Sequence, residues 1–262
     1  MLVLSYIVLE GSHISSMIVD IHNHILPGLD DGPKSMGEAI LLVKNAAANG
    51  VTQIIATPHR NSTYSNDVTE IKEAVKNLNE EIALEDIPVE VFIGQEIHLT
   101  NFLDMDKMGE LLTLAGSRKY ILVELPDDHF PLFTYDVIFQ LQLKGYIPII
   151  PHPERNVILR RRKEMLYELV TKGVLVQITA SSLIGKQGRT KKNYSIDLIK
   201  HNLVHFIASD AHECKHRPFL IGTAYKFIDK KFSANKRNYF IDNARHVLFG
   251  TEFKPLPPIG YK

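Results

Sequence analysis

Seven short apolar runs rich in β-branched residues recur along the chain, at 18–22 (IVDIH), 53–57 (QIIAT), 89–94 (VEVFIG), 119–125 (KYILVEL), 146–151 (YIPIIP), 174–179 (VLVQIT) and 204–209 (VHFIAS). They are near-continuous rather than alternating, which is the pattern of strands buried on both faces of a parallel sheet. Parallel neighbours need a crossover, and each run is followed by a helical pattern. Ser35-Met36-Gly37-Glu38 reads as a capping box, with Ile40, Val43 and Ala47 on one side of the helix and a stop before Gly50. A second helix is expected from about Val68 to Leu84, with Ile71, Val75, Leu78 and Ile82 at helical spacing. Others are expected from near Thr134 to Gly145, from Lys163 to Gly173, and near 193–201, 218–232 and 236–249, the last closed by Gly250. The repeat of roughly 30–35 residues is one strand–helix unit. No linker rich in Gly, Ser or Pro interrupts it, so the expected fold is a single barrel-like α/β domain, with a doubly wound open sheet as the alternative.

Composition narrows the classes. A chain of 262 residues, 45% apolar and 23% charged, is neither disordered nor fibrous. Its 30 Lys+Arg balance 30 Asp+Glu, so binding of nucleic acid by bulk charge is not expected. The apolar stretch 1–9 (MLVLSYIVL) falls short of the ~20 residues a membrane span needs. It also lacks the basic start of a signal peptide, since the first Lys or Arg is Lys34. The expected organisation is an N-terminal extension over 1–16 outside the fold and one domain over 17–262, with no membrane insertion. A single cysteine, Cys214, rules out an intramolecular disulfide framework and a Cys-rich zinc site, and suits a reducing cytoplasm.

The chemistry-bearing residues collect at the C-terminal ends of the expected strands, where a barrel places its active site. Asp20, His22 and His24 follow the first strand, then Asp30-Asp31-Gly32. Thr57-Pro58-His59-Arg60 follows the second, Gly94-Gln95-Glu96 the third and Glu124 the fourth. His152-Pro153-Glu154-Arg155 follows the fifth and Ser209-Asp210-Ala211-His212 the seventh. His-x-His and Asp-x-His at a strand end direct both side chains to one side. So many ionisable groups converging on one rim would be costly unless paired. Imidazole and carboxylate donors without thiolate suit Mn, Fe or Zn, and carboxylates can bridge ions. The candidate ligands are His22, His24, Asp31, His59, Glu96, Glu124, His152, Asp210 and His212. His98, His129, His201, His205, His216 and His246 are expected as exposed or core histidines, with His129 and His216 in rim loops.

Taken in order, these motifs resemble the PHP (polymerase and histidinol phosphatase) superfamily. More narrowly, the chain from Met17 to about Gly250 resembles the bacterial manganese-dependent tyrosine phosphatases of the CpsB/CapC/YwqE type. The resemblance implies a distorted (β/α)7 barrel of the TIM-like kind, holding three divalent ions. One ion would take His22, His24, Glu96 and Asp210; a second Glu96, Glu124 and His152; a third Asp31, His59 and His212. Manganese is the implied ion, with Fe, Zn, Co or Mg left open. The implied activity is phosphotyrosine hydrolysis on a capsule or exopolysaccharide tyrosine kinase and other phosphotyrosine proteins, by direct attack of a metal-bound hydroxide. Family members usually start at the equivalent of Met17, so residues 1–16 inherit no role.

A Cys-dependent route fails on spacing, because the phosphate-cradling loop would need Arg where Leu220 stands. Arg155 and Arg217 follow strands five and seven, match family positions, and offer bidentate forks to a phosphate. Arg60, Lys186, Arg189, Lys191 and Lys192 are expected to add positive loops on the same rim. Arg160-Arg161-Arg162-Lys163 is expected to open a surface helix. The alternatives are a small-molecule PHP phosphoesterase such as histidinol phosphatase, a polymerase-associated nuclease, and a non-enzymatic metal-binding module. A homo-oligomer is left open.

Overall fold

The computed structural model describes residues 17–104 and 111–261. The expected N-terminal extension, residues 1–16, lies outside the described residues. The strands are β1 (Val19–Asp20), β2 (Gln53–Ile55), β3 (His59–Arg60), β4 (Glu90–Phe92), β5 (Glu96–His98), β6 (Tyr120–Glu124), β7 (Ile147–Pro151), β8 (Leu175–Thr179) and β9 (Phe206–Ala208). They form two parallel sheets, ordered β1-β2-β4 and β3-β5-β6-β7-β8-β9. The α/β class with parallel strands therefore matches expectation.

Two of the seven expected strands are each followed by a further short strand beyond the expected run. The run 53–57 yields β2, and after Pro58 the chain resumes as β3 in the other sheet. The run 89–94 yields β4 and stops at Gly94, beyond which β5 begins. A Cβ on Gly94 would stand 2.7 Å from Ile55 Cγ2 and 2.9 Å from the Ala56 carbonyl oxygen, so only glycine permits this approach. Both breaks shift the chain between sheets one step before a candidate ligand, His59 or Glu96.

Strand residues divide by parity between two buried clusters. Ile55, Tyr120, Leu122, Ile149, Leu175, Phe206 and Ala208 share one cluster. Ile54, Ile121, Val123, Ile150, Val176, Ile178 and Ile207 face the other, with the helices. This is the two-sided burial that the near-continuous apolar runs require. Continuing the first parity toward the strand ends gives Thr57 and His59, Glu124, Gln177 and Thr179, and Asp210. The face that is apolar at its base becomes polar at its rim.

The first and last strands also meet. Asn23 and Ala211 form an isolated parallel bridge. The Asp210 amide donates to the His22 carbonyl and the His24 amide to that of Ala211, each at 2.8 Å. Wholly buried Asp20 accepts from the Ser209 amide at 2.8 Å and from its hydroxyl.

The helices are α1 (Met36–Ala48), α2 (Val68–Leu84), α3 (Thr134–Leu143), α4 (Val157–Arg161), α5 (Lys163–Thr171), α6 (Ala180–Ile184), α7 (Arg189–Lys200), α8 (Ile221–Lys231) and α9 (Ala234–Leu248). The long ones fall where the periodicity puts them; the short α4 and α6 carry too few turns to show a period. The Ser35 capping box is only half made: Ser35 accepts from the Glu38 amide, but the Glu38 carboxylate takes the Lys34 amide instead. A reciprocal box forms at α2, between Asp67 and Glu70. Among the described residues no helix is long and apolar enough to cross a membrane.

The close approach at Gly94 makes it a test of the path that delivers Glu96. Gly94→Ala should destabilise the protein by about 1–3 kcal/mol and weaken metal binding at the same time. A thermal midpoint and metal content both equal to the parent protein would show that β4 and β5 can separate without cost.

Candidate metal centre

Strand register brings the polar rim together. His59 lies opposite Glu96 between β3 and β5, and Glu124 ends the neighbouring β6. His152 and Asp210 follow β7 and β9 with left-handed backbones, φ 36° and 52°. Such a conformation costs a non-glycine residue about 1–3 kcal/mol and tends to persist where a site fixes it. Here the His152 amide donates to the Gln177 carbonyl at 2.8 Å, while Asp210 is tied to His22 as above.

Glu96 is the hub. Its Oε2 lies 3.0 Å from His59 Nδ1, 3.3 Å from His22 Nε2 and 3.4 Å from His24 Nε2. Its Oε1 lies 2.9 Å from His152 Nε2. Glu124 reaches to 3.6 Å from His59 Nδ1. Asp210 Oδ1 is 3.7 Å from His22 Nε2 and 3.5 Å from His24 Nε2. Asp31 Oδ1 is 3.1 Å from His212 Nε2 and 3.7 Å from His59 Nε2. All nine expected ligands thus belong to one connected cluster. Donor atoms gather within 4.8 Å in three groups: His24, Asp31, His59 and His212; His22, His24 and Glu96; and His59, Glu96 and Glu124. These groups overlap the sets implied by the family resemblance, but His24 and His59 are each shared by two of them.

The donor set fits divalent ions. His59 Nδ1, Glu96 Oε2 and His212 Nε2 are buried without a hydrogen-bond partner among the described residues, which is expensive for polar atoms unless a cation meets them. Burial opposes a charge on Glu96, yet the imidazoles of His22 and His59 hold its carboxyl well below the usual range. Burial and then the repulsion of Glu96 push Glu124 up to about 9. Burial likewise drives His152 down to about 4 and His212 down to about 2, the neutral form that ligates metal. Two carboxylates, Glu96 buried and Glu124 half-buried, that cannot readily ionise together, beside imidazole lone pairs, are relieved by positive charge at their centre.

Arg155 and Arg217 stand at the edge of this cluster. Both pair with the carboxylate of Asp210, Arg217 at 3.2 Å, and Arg217 also reaches Asp31 at 3.3 Å. They line a cleft of about 620 Å³ together with Lys186, Lys191 and Lys215. Arg60, on β3, and exposed Arg189, at the start of α7, do not line it. Lys192 is turned toward the Phe227 ring, its Nζ 5.0 Å from the centroid. Exposed Cys214 lines an adjoining cleft of about 600 Å³ with Asp31 and His212. His205 is a core histidine whose Nδ1 accepts from the Val176 amide.

Residues 18–249 match the family described as capsular polysaccharide synthesis, CpsB/CapC. The chain belongs to the CpsB/CapC family. It is 40% identical to the tyrosine-protein phosphatase YwqE of Bacillus subtilis, over 92% of this chain and 95% of that protein. A crystal structure from work on YwqE of B. subtilis and CpsB of Streptococcus pneumoniae, unique metal-dependent tyrosine phosphatases, superposes with a TM-score of 0.89. Identity there is 40%, covering 94% of this chain and all of the other. The histidinol phosphate phosphatase of Lactococcus lactis, at 17% identity and TM-score 0.51 over 82% of this chain and 93% of its own, shares the fold alone.

Within this CpsB/CapC chain, the residues that aim the ligands are less obvious than the ligands. Asp30 Oδ2 lies 2.6 Å from His24 Nδ1, and Gln177 Oε1 lies 2.8 Å from His22 Nδ1. Each contact fixes a tautomer with a proton on Nδ1 and turns Nε2 into the cluster. Burial works against a charge on His24, but Asp30 and Glu96 raise its pKa to about 10. Glu154, which the strand-end motif includes, turns away and accepts from the amide and hydroxyl of Thr179 at 2.8 Å each. A signal for Gln177 exists in the sequence: it is the one amide inside the apolar run VLVQIT. Gln177→Leu should lower divalent-metal affinity by about 10- to 100-fold while leaving the fold intact. Titration calorimetry with Mn2+ checks this; parent-like affinity would reduce the contact to mere packing.

Proposed function

We propose that the chain is a metal-dependent protein-tyrosine phosphatase of capsule or exopolysaccharide synthesis. The observation that carries the reading is a His/Asp/Glu cluster of three overlapping donor groups, joined by His152 and Asp210 and bordered by two arginines at the mouth of a basic cleft. The relatives with this activity cover nearly the whole chain at 40% identity, whereas the histidinol phosphatase likeness carries only the fold. We take the domain to span 17–262, with 1–16 outside it, and the two sheets to close as a distorted (β/α)7 barrel. The Asn23–Ala211 bridge and the Asp20–Ser209 contacts support closure.

His22, His24, Asp31, His59, Glu96, Glu124, His152, Asp210 and His212 would hold the ions, three per chain, with manganese the ion that the family resemblance implies among the several that a nitrogen and oxygen donor set suits. When bound, such ions would acidify water and neutralise phosphate oxygens. Arg155 and Arg217 would bind the remaining phosphate oxygens and orient phosphorus for in-line attack, their guanidinium forks matching two oxygens at once. Lys186, Lys191 and Lys215 would draw an anionic peptide to the cleft without making the whole chain basic. The substrate would be a tyrosine-phosphorylated kinase of the capsule system, met in the cytoplasm.

Chelation should abolish hydrolysis of a phosphotyrosine peptide and Mn2+ should restore it; turnover by metal-stripped protein would overturn the proposal. Arg155→Ala and Arg217→Ala should each retain metal but lose roughly 30- to 1,000-fold in kcat/KM. Near-parent kcat/KM in both would place the phosphate elsewhere. Cys214→Ser should keep kcat within a few-fold, since a lost nucleophile costs on the order of 10³-fold or more.

A further inference from the structure

We propose that the groove beside the catalytic cleft docks the polypeptide that flanks the phosphorylated tyrosine, an extended segment carrying an apolar side chain next to an acidic one. This rests on the phosphotyrosine-peptide reading above. Two segments contribute to both cavities. The loop after β6 gives Asp127 to the cleft and Phe130, Leu132 and Tyr135 to the groove; the segment after β7 gives Arg155 to the cleft and Ile158, Arg161 and Arg162 to the groove.

The groove encloses about 530 Å³ and its floor is mainly apolar. Leu132 is 94% exposed at its edge, a large apolar side chain with no neighbour to cover it. Arg161 and Arg162 are exposed and their side chains make no hydrogen bond or ion pair among the described residues. In the cleft itself Arg155 and Arg217 are engaged with Asp210, and Lys191 with Gln187. On the loop after β6, exposed Asp128 is already met by His129 at 2.6 Å. An apolar floor beside two unpaired guanidinium groups complements an apolar residue followed by a carboxylate.

The groove is also fixed relative to the phosphate site. Arg160 donates to the carbonyls of Glu154, at 2.9 Å, and Arg155. Asn156 caps α4 through the Leu159 amide and donates to the carbonyls of Pro126, at 2.6 Å, and His129, at 2.8 Å. The two segments therefore form one piece, and docking needs little ordering of the enzyme. Arg155 precedes the Asn156 cap of α4 and Ile158 lies in the first turn of that helix, three residues on, so the groove begins within roughly 10 Å of Arg155, about two to four residues along an extended peptide.

The test compares three substrates: a phosphotyrosine peptide with Leu-Glu two to four residues from the tyrosine, the same peptide with Gly-Ser flanks, and p-nitrophenyl phosphate. The parent enzyme should favour the first peptide over the second by about tenfold in kcat/KM, through KM. Leu132→Ser and the double variant Arg161→Ala/Arg162→Ala should erase that preference and leave p-nitrophenyl phosphate hydrolysis unchanged. A parent enzyme without the preference, or variants that keep it, overturns the docking site while the phosphatase reading stands. Variants that also lose p-nitrophenyl phosphate turnover would show that the surface acts on Arg155 instead of on the peptide. Failure of the parent enzyme on all three substrates overturns the phosphatase reading and the docking site with it.

Discussion

Glu96 holds a carboxylate, only 1% exposed, among the imidazoles of His22, His24, His59 and His152. Isolated, a buried charge of this kind would be neutralised or would destabilise the fold. It persists here because imidazoles from several strand ends converge on it, those of His22 and His59 holding its carboxyl well below the usual range, and that convergence needs the strands held in parallel register. The break at Gly94 sets the start of β5, the His59–Glu96 register sets the first contact, and the turned backbones at His152 and Asp210 bring the remaining donors inward. Fold and centre are thus one problem: strained residues at the rim are stabilised by the same cluster they complete.

Around that centre the polar contacts are graded by task. Asp30 and Gln177 orient His24 and His22, Asp20 and Ser209 join the first and last strands, and Glu154 secures the start of α6 through Thr179. None of these presents an open donor to the cluster. The charges at the edge of the cleft lie on loops for Arg155, Arg217, Lys186 and Lys215 and on α7 for Lys191, where substrate can reach them.

Much of this was legible in the sequence because it depends on local periodicity. Apolar runs on two parities announced buried parallel strands, and the His, Asp and Glu residues at their ends announced the cluster. What sequence hid is non-local. The run 89–94 reads as one strand, but β4 ends at Phe92, and the close approach of Ile55 and Ala56 that only glycine allows at position 94 is invisible in it. Ser35 and Glu38 have the spacing of a capping box, but the Lys34 amide competes for the carboxylate. Gln177 and Asp30 gain their roles from partners 155 and 6 positions away, the first beyond any local pattern. Arg60 and Arg189 have the right charge near the right strands, but do not line the cleft.

This cluster would hold divalent ions, with Glu96, which belongs to two of the three donor groups, shared between them. That occupancy is tested most directly by diffraction from crystals grown with Mn2+, with data collected on both sides of the manganese absorption edge. The account predicts anomalous peaks enclosed by the three donor groups, with Glu96 contacting more than one. Manganese-containing crystals with no anomalous density among these nine side chains would contradict it.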